Sequence, residues 1–133
     1  MDTNDSKNIE DLIAEFVNLN PVADETKRFF KNKLTSDFFL VRHDGVTLSA
    51  SQMAIPEDPT FDLIFMKLDS IQKIVISPDT NLAFISYNTI SKFKMKGAWS
   101  ESLSFNMHSG YVVKEDNNWK MGWLQTTQKV LKN

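Results

Sequence analysis

Long stretches of alternating or apolar residues, cut by short turn signals, dominate the second half of this chain and most constrain its fold. From Phe61 onward they run Leu63–Leu68 continuing into Ile71–Ser77, then Leu82–Met95, Trp99–Val113 and Trp119–Thr127. Ser77-Pro78-Asp79-Thr80-Asn81, Lys96-Gly97 and Asp116-Asn117-Asn118 separate them, each rich in residues that accept tight turns. A side-chain period of two between such turns predicts an antiparallel meander built around two hairpins.

The first half has a different period. Ile9, Leu12, Ile13, Phe16, Val17 and Leu19 follow helical spacing, with Glu10, Asp11 and Glu15 on the other side. Asp5 or Ser6 can cap this helix by accepting a free backbone N–H, and residues 1–5 read as a flexible tail. Asn20-Pro21 ends the helix and starts a second, whose buried stripe is Val22, Thr26, Phe29, Phe30 and Leu34. A short strand over Phe38–Arg42, an Asp44-Gly45 turn and a brief helix capped by Ser49 and running to about Ala54 follow, and Pro56 and Pro59 bracket a loop. Helices first and a meander second predict one α+β domain over residues 6–133, with the helices packed on one face of a curved antiparallel sheet.

Composition excludes several functions. The 133 residues include 15 basic and 17 acidic ones, a net charge of −2, so no clustered positive surface is available for nucleic acid. Lys92, Lys94 and Lys96 alternate near a hairpin tip and read as a solvated edge. Cysteine is absent and histidine occurs only at His43 and His108, which argues against thiol chemistry and a multi-histidine metal site. No metal and no cofactor is expected. The polar N-terminus and the lack of a span-length apolar run predict a cytoplasmic protein without a membrane partner.

A two-residue loop at Lys96-Gly97 would set Lys92 opposite Glu101, Ile90 opposite Leu103 and Asn88 opposite Phe105. A three-residue loop over Asp116-Asn117-Asn118 would set Met121 opposite Val113 and Trp123 opposite Tyr111. One face is then an aromatic and aliphatic wall, expected to lie under the helices: Leu82, Phe84, Ile90 and Trp99 with Leu103, Phe105, Met107 and Tyr111, continued by Val113, Trp119, Met121 and Trp123. Within it Ser86, Asn88, Ser109, Gln125 and Thr127 form a polar group on neighbouring strands. Burying such groups without partners costs about 1–3 kcal/mol each. Phe105, Met107, Tyr111 and Trp123 around those five polar residues would suit a pocket for a small, mostly apolar molecule. The alternative is that the polar residues bond one another or face water. The second face carries Ala83, Ile85, Tyr87, Thr89, Ser91, Ser104, Asn106 and His108.

The helix pair, the segment LTSDFFLVRHDGVTLSASQMA and the segment SGYVVKEDNNWKMGWLQTT resemble the NTF2-like superfamily in its SnoaL-like branch, from about residue 6 to 128. The first segment resembles the family's short strand, Asp-Gly turn and short helix. The second resembles its last hairpin, where an acidic-Asn turn precedes a tryptophan. The resemblance implies a cystatin-like cone of helices and bent sheet with an internal pocket, and a homodimer through the opposite sheet face. Ile85, Tyr87 and Leu124, with His108, would make that contact. Isomerases, dehydratases, polyketide cyclases and non-enzymatic binding or assembly domains share the fold, so an enzyme of those kinds and a dimerisation module are the alternatives to a ligand-binding domain.

Catalytic machinery is hard to assemble from these residues. The resemblance to steroid-isomerase-like members implies a catalytic carboxylate at a place that falls close to Arg42 here, with Asp37 at the strand start and Asp44 in the turn. His43 is a candidate, but neighbours on a strand point apart, so it does not readily pair with Asp44. Glu101 is the one acid on the apolar face, and Lys92 across from it offers a simple ion pair. Tyr111 could donate a phenolic hydrogen into a cavity, although Trp123 beside it suits packing.

Overall fold

A computed structural model describes residues 3–18, 24–53 and 61–132. Two helices open the chain, α1 (Thr3–Val17) and α2 (Asp24–Lys33). Strands β1 (Leu34–Val41) and β2 (Thr47–Ser49) and a single helical turn, α3 (Ala50–Met53), follow. Four long strands complete it: β3 (Phe61–Ile76), β4 (Leu82–Met95), β5 (Ser102–Glu115) and β6 (Asn118–Lys132). The six strands form one curved, unclosed sheet in the order β2-β1-β6-β5-β4-β3. Neighbours are antiparallel except β1 and β6, which run parallel. This is the expected α+β cone architecture.

The local signals act as read. Ile9, Leu12, Ile13 and Val17 form the buried stripe of α1, and Phe29 is the buried aromatic of α2, with Phe16 and Phe30 packed beside it. Ser49 and Gln52 cap α3 reciprocally: the Ser49 N–H donates to Gln52 Oε1 at 2.8 Å, and the Gln52 N–H donates to Ser49 Oγ. Gly45 turns the chain after β1 with φ +85°. The tail is shorter than expected, because α1 begins at Thr3 and Asp5 is buried within it. Met1, Asp2, Leu19, Asn20-Pro21, Val22, Ala54 and the loop bracketed by Pro56 and Pro59 lie outside the described residues, as does the side chain of Thr26.

Curvature comes from irregular pairing. Register shifts occur between Leu63 and Phe65, Leu68 and Ser70, and Ile71 and Lys73 along β3, each leaving one residue unpaired against β4. Repeated bulges of this kind bend and twist a strand. A further bulge sits between β5 and β6, where Tyr111 pairs with Trp123 but Val112 pairs with Met121, so Gly122 is the extra residue. A Cβ on Gly122 would lie 2.5 Å from the Tyr111 ring, and one on Gly110 would lie 1.9 Å from the Trp123 carbonyl oxygen. Both positions therefore admit only glycine without rearrangement.

Two details of the expected register change. The β4–β5 connection is longer than two residues, and Lys92 pairs with Leu103, Ile90 with Phe105 and Asn88 with Met107. The slide is by two, so every side chain keeps its face. The β5–β6 turn is the two-residue Asp116-Asn117, with φ of 52° and 66°, a left-handed pair that matches strand twist. The Gly122 bulge then absorbs the odd residue. Trp123 still meets Tyr111, but Trp119 and Met121 cross to the other face, where both are buried.

Inside and outside are exchanged relative to the expectation. The helices cover the face of Ala83, Ile85, Tyr87, Val112, Met121 and Leu124, all at most 1% exposed. Ile85, Tyr87, His108 and Leu124 are thus buried within the chain, not presented to a second copy. Ser86, Asn88, Phe105, Met107, Ser109, Tyr111, Trp123, Gln125 and Thr127 lie on the convex, outer face. Phe84 and Met107 there are 45% and 47% exposed. The apolar count misled because the bulge moves Trp119 and Met121 to the inner face, beside Ala83, Ile85, Tyr87, Val112 and Leu124, while the other inner positions of β4 and β5 carry polar residues bonded to one another.

Candidate functional site

Three neighbouring strands send polar side chains to the concave face at every second position. Strand β4 contributes Tyr87, Thr89 and Ser91, β5 contributes Ser104, Asn106 and His108, and β6 contributes Thr126 and Gln128. Pairing sets Tyr87 beside His108, Thr89 beside Asn106, Ser91 beside Ser104, and Thr126 and Gln128 beside His108 and Asn106. Thr89 and Ser104 are fully buried, and Ser91 and Asn106 are nearly so.

These residues form one continuous hydrogen-bond network. Thr89 Oγ1 lies 2.8 Å from His108 Nε2, and Thr126 Oγ1 lies 2.9 Å from His108 Nδ1. Asn106 Nδ2 donates to Thr89 Oγ1 at 3.2 Å and to Ser91 Oγ at 3.0 Å. Ser91 and Ser104 hydroxyls meet at 2.6 Å, Ser104 donates to Asn106 Oδ1 at 3.3 Å, and Gln128 Nε2 donates to Ser104. The Tyr87 and His108 rings stack, 4.7 Å apart and 19° from parallel. Burial pushes the imidazole down to about 4 and raises the Tyr87 phenol, so both are neutral at pH 7. No charged side chain takes part in these bonds. Among the described residues no group of three or more metal-ligating side chains comes together.

The expected site residues are dispersed. On the outer face Ser86 donates to Gln72 and Asn88 to Ser70, separate contacts with the edge strand rather than a converging group. His43 is exposed in the turn after β1. Arg42 bonds Asp44 there, and that bond, with one from the Val46 N–H, holds the Asp44 carboxyl below its usual range. Asp37 is exposed and accepts the Thr35 hydroxyl. Glu101 pairs with Lys92 at 2.8 Å in a half-exposed ion pair. The Tyr111 ring packs on Trp123, and Trp123 on Phe39, in an aromatic row across the outer face: Phe39, Trp123, Tyr111 and Phe84 are successive Cα partners on four strands.

Sequence reasoning grouped Thr89, Ser91, Ser104, Asn106 and His108 on one face but assigned that face to the exterior. The signal for their convergence was there: five polar residues alternating on two paired strands. Another element it missed is Asp5, whose Oδ1 accepts Trp119 Nε1 at 3.0 Å and Lys114 Nζ at 3.1 Å, tying α1 to the last hairpin. The Trp119 bond, then the Lys114 bond, holds this carboxyl below its usual range. A surface cleft of about 340 Å³ lies between α1 and α2, lined by Glu15, Arg28, Phe29, Asn32 and Lys33, none of them in the concave network.

A family model described as a protein of unknown function, DUF3804, matches residues 4–131. The chain belongs to the DUF3804 family. No curated protein matches it in sequence. Among solved structures, an NTF2-like protein of unknown function from Prochlorococcus marinus is 23% identical, with a TM-score of 0.69 over 96% of this chain and 93% of that one. A putative scytalone dehydratase from Novosphingobium aromaticivorans is 10% identical, with a TM-score of 0.69 over 95% of this chain and 85% of that one. The hexachlorocyclohexane dehydrochlorinase LinA-type3 from Novosphingobium barchaimii is also 10% identical, with a TM-score of 0.74 over 98% and 90%. At these identities the likeness establishes the fold alone: this DUF3804 chain has an NTF2-like fold. No helix among its described residues is long and apolar enough to cross a membrane.

Proposed function

We propose that this protein binds a small, uncharged, largely apolar molecule on the concave side of its sheet, in the cytoplasm and without a cofactor. The observation that carries this reading is the buried, uncharged polar network running from Ser91 to Thr126 inside an otherwise apolar core. A core built for stability alone gains little from five buried polar side chains on two strands. Apolar walls with a few converging polar groups are the usual make-up of small-molecule sites. Nile red fluorescence with purified protein tests it: dye emission rises on binding, and Asn106→Leu with Ser104→Val reduces the rise. Equal fluorescence in wild type and a folded double variant would remove the reading.

An isomerase, dehydratase or cyclase activity is the second reading, favoured by His108 and Tyr87 stacked on the concave side. Against it, both His108 nitrogens already have hydroxyl partners, and a general base must have a nitrogen free to take the substrate's proton.

We also propose a homodimer, formed through the convex face instead of the concave one. The row of Phe39, Trp123, Tyr111 and Phe84, extended by exposed Val75, supports it, since a two-fold axis sets such a patch against its own copy. Sedimentation velocity at micromolar concentration should give a dimer that Phe84→Glu converts to monomer. A strictly monomeric wild type contradicts it.

A further inference from the structure

The hydrogen atoms of the concave network can be counted, and the count has one solution. Asn106 is 2% exposed and places both amide hydrogens, one on Thr89 Oγ1 and one on Ser91 Oγ. Ser104 gives its hydrogen to Asn106 Oδ1, so Ser91 must give its own to Ser104. Thr89 already accepts from Asn106 and is fully buried, so its hydroxyl hydrogen needs an acceptor. His108 Nε2, 2.8 Å away, is the one acceptor the network offers. A neutral imidazole with Nε2 accepting carries its proton on Nδ1, which then donates to Thr126 Oγ1. The chain therefore runs in one direction, Ser91 to Ser104 to Asn106 to Thr89 to His108 to Thr126. Reversing it strands a buried hydrogen: turning the Asn106 amide over leaves one of its N–H groups unspent, and putting the histidine proton on Nε2 leaves Thr89's unspent. In the forward direction two hydrogens are left over, that of the Thr126 hydroxyl and the second amide hydrogen of Gln128, both half-buried on β6, and of the two the Thr126 hydroxyl is the one joined to His108 at the end of the row.

We infer that Thr126 is the recognition donor of the concave side, and that the ligand class is a neutral molecule presenting an acceptor oxygen, a ketone or ester carbonyl, to that hydroxyl. This rests on the concave-side binding reading above. The network supplies no negative charge for a cation and no positive charge for a carboxylate, so either ion would lose its hydration without a counter-charge. A carbonyl loses little, because the Thr126 hydrogen replaces the water hydrogen bond it gives up.

Nitrogen NMR of protein labelled with 15N-histidine, at pH 7, tests the direction without any ligand. His108 should show a protonated Nδ1 and a pyridine-like Nε2. Cyclohexanone and cyclohexylammonium then serve as probes of equal ring size. Cyclohexanone should shift the His108 signals, and cyclohexylammonium should not. Thr126→Val should weaken cyclohexanone about threefold to tenfold while Thr89 keeps the His108 proton on Nδ1, and Thr126→Ser should restore the affinity. A protonated Nε2 in the wild type overturns the inference outright. Cyclohexanone binding that is unchanged in Thr126→Val overturns the donor assignment while leaving concave-side binding intact. An Nδ1 proton with neither probe reaching His108 defeats the binding reading, and the ligand class falls with it.

Discussion

A proton on His108 would oblige both ring nitrogens to donate, and Thr89 would lose the acceptor for its buried hydroxyl. Burial already disfavours the imidazolium, which sets the native value near 4 against 6.5 for the free side chain. Between those values the unfolded chain binds a proton that the native chain refuses. Stability is therefore complete above pH 6.5, declines as pH falls through this window and levels below about 4. The loss is about 3 kcal/mol at 1.36 kcal/mol per unit. Urea titrations at pH 7 and pH 4.5 should reveal most of it, and His108→Gln, which bonds without titrating, should flatten the dependence. Asp5 acts at lower pH with the opposite shift. Its carboxyl is stabilised as the anion by Trp119 and Lys114, so its contribution is present above pH 3.8 and disappears as pH falls through the lowered native value. Asp5→Asn should lower the melting temperature at pH 7 and remove the steepest part of acid unfolding. Local pattern reading could not place Asp5. As a residue near a helix start it looks like a cap or a tail, and its partners lie 109 and 114 positions away.

Among the elements, the β5–β6 hairpin decides which aromatics are inside. The Tyr111–Trp123 pairing was legible from alternation, but alternation selected a three-residue turn where the chain makes a two-residue one, and the bulge that reconciles them was not used, although an isolated glycine in a strand is a recognised sign of one. Gly110 and Gly122 are two such signs on facing strands. They differ in what confronts an added methyl group. At Gly110 it meets backbone, which cannot swing aside, and Gly110→Ala should cost about 3 kcal/mol or more. At Gly122 it meets the Tyr111 ring, which can rotate, and Gly122→Ala should cost about 1–2 kcal/mol, less still in a Tyr111→Ala background. Chemical denaturation of the three variants checks the ranking, and equal costs at both glycines would contradict the bulge geometry as the cause. The first hairpin illustrates a milder limit. Lys96-Gly97 does turn the chain, with Gly97 at φ +82°, but neighbouring polar residues fit loops of several lengths, so a slide by two went unseen.

For the whole molecule, the order of helices and strands was legible and the side of the sheet they cover was not. Counting apolar residues identifies a face that avoids water, without saying what covers it. The outer row of Phe39, Trp123, Tyr111 and Phe84 scores as core by that count, and the concave face, rich in serine and threonine, scores as surface. What reverses the assignment is satisfaction: a polar side chain whose partners stand on the neighbouring strand can be as buried as a leucine. Alternation reveals that Thr89, Ser91, Ser104 and Asn106 share a face but not that they bond each other.

The parallel pairing of β1 with β6 has a consequence for how the molecule comes into being. Leu34 lies beside Met121 and Phe39 beside Trp123, while Asp5 reaches Trp119, so both the first helix and the first strand complete their contacts on the last strand made. A ribosome must release β6 before either can settle, and loop closure over such separations is slow. Although α1 and β1 precede the other strands in the chain, they should be among the last elements of this domain to gain protection from hydrogen exchange. Until then the apolar side of α1 and an unpaired β1 edge stand open, which makes the interval between synthesis and closure the period when this protein most needs a chaperone.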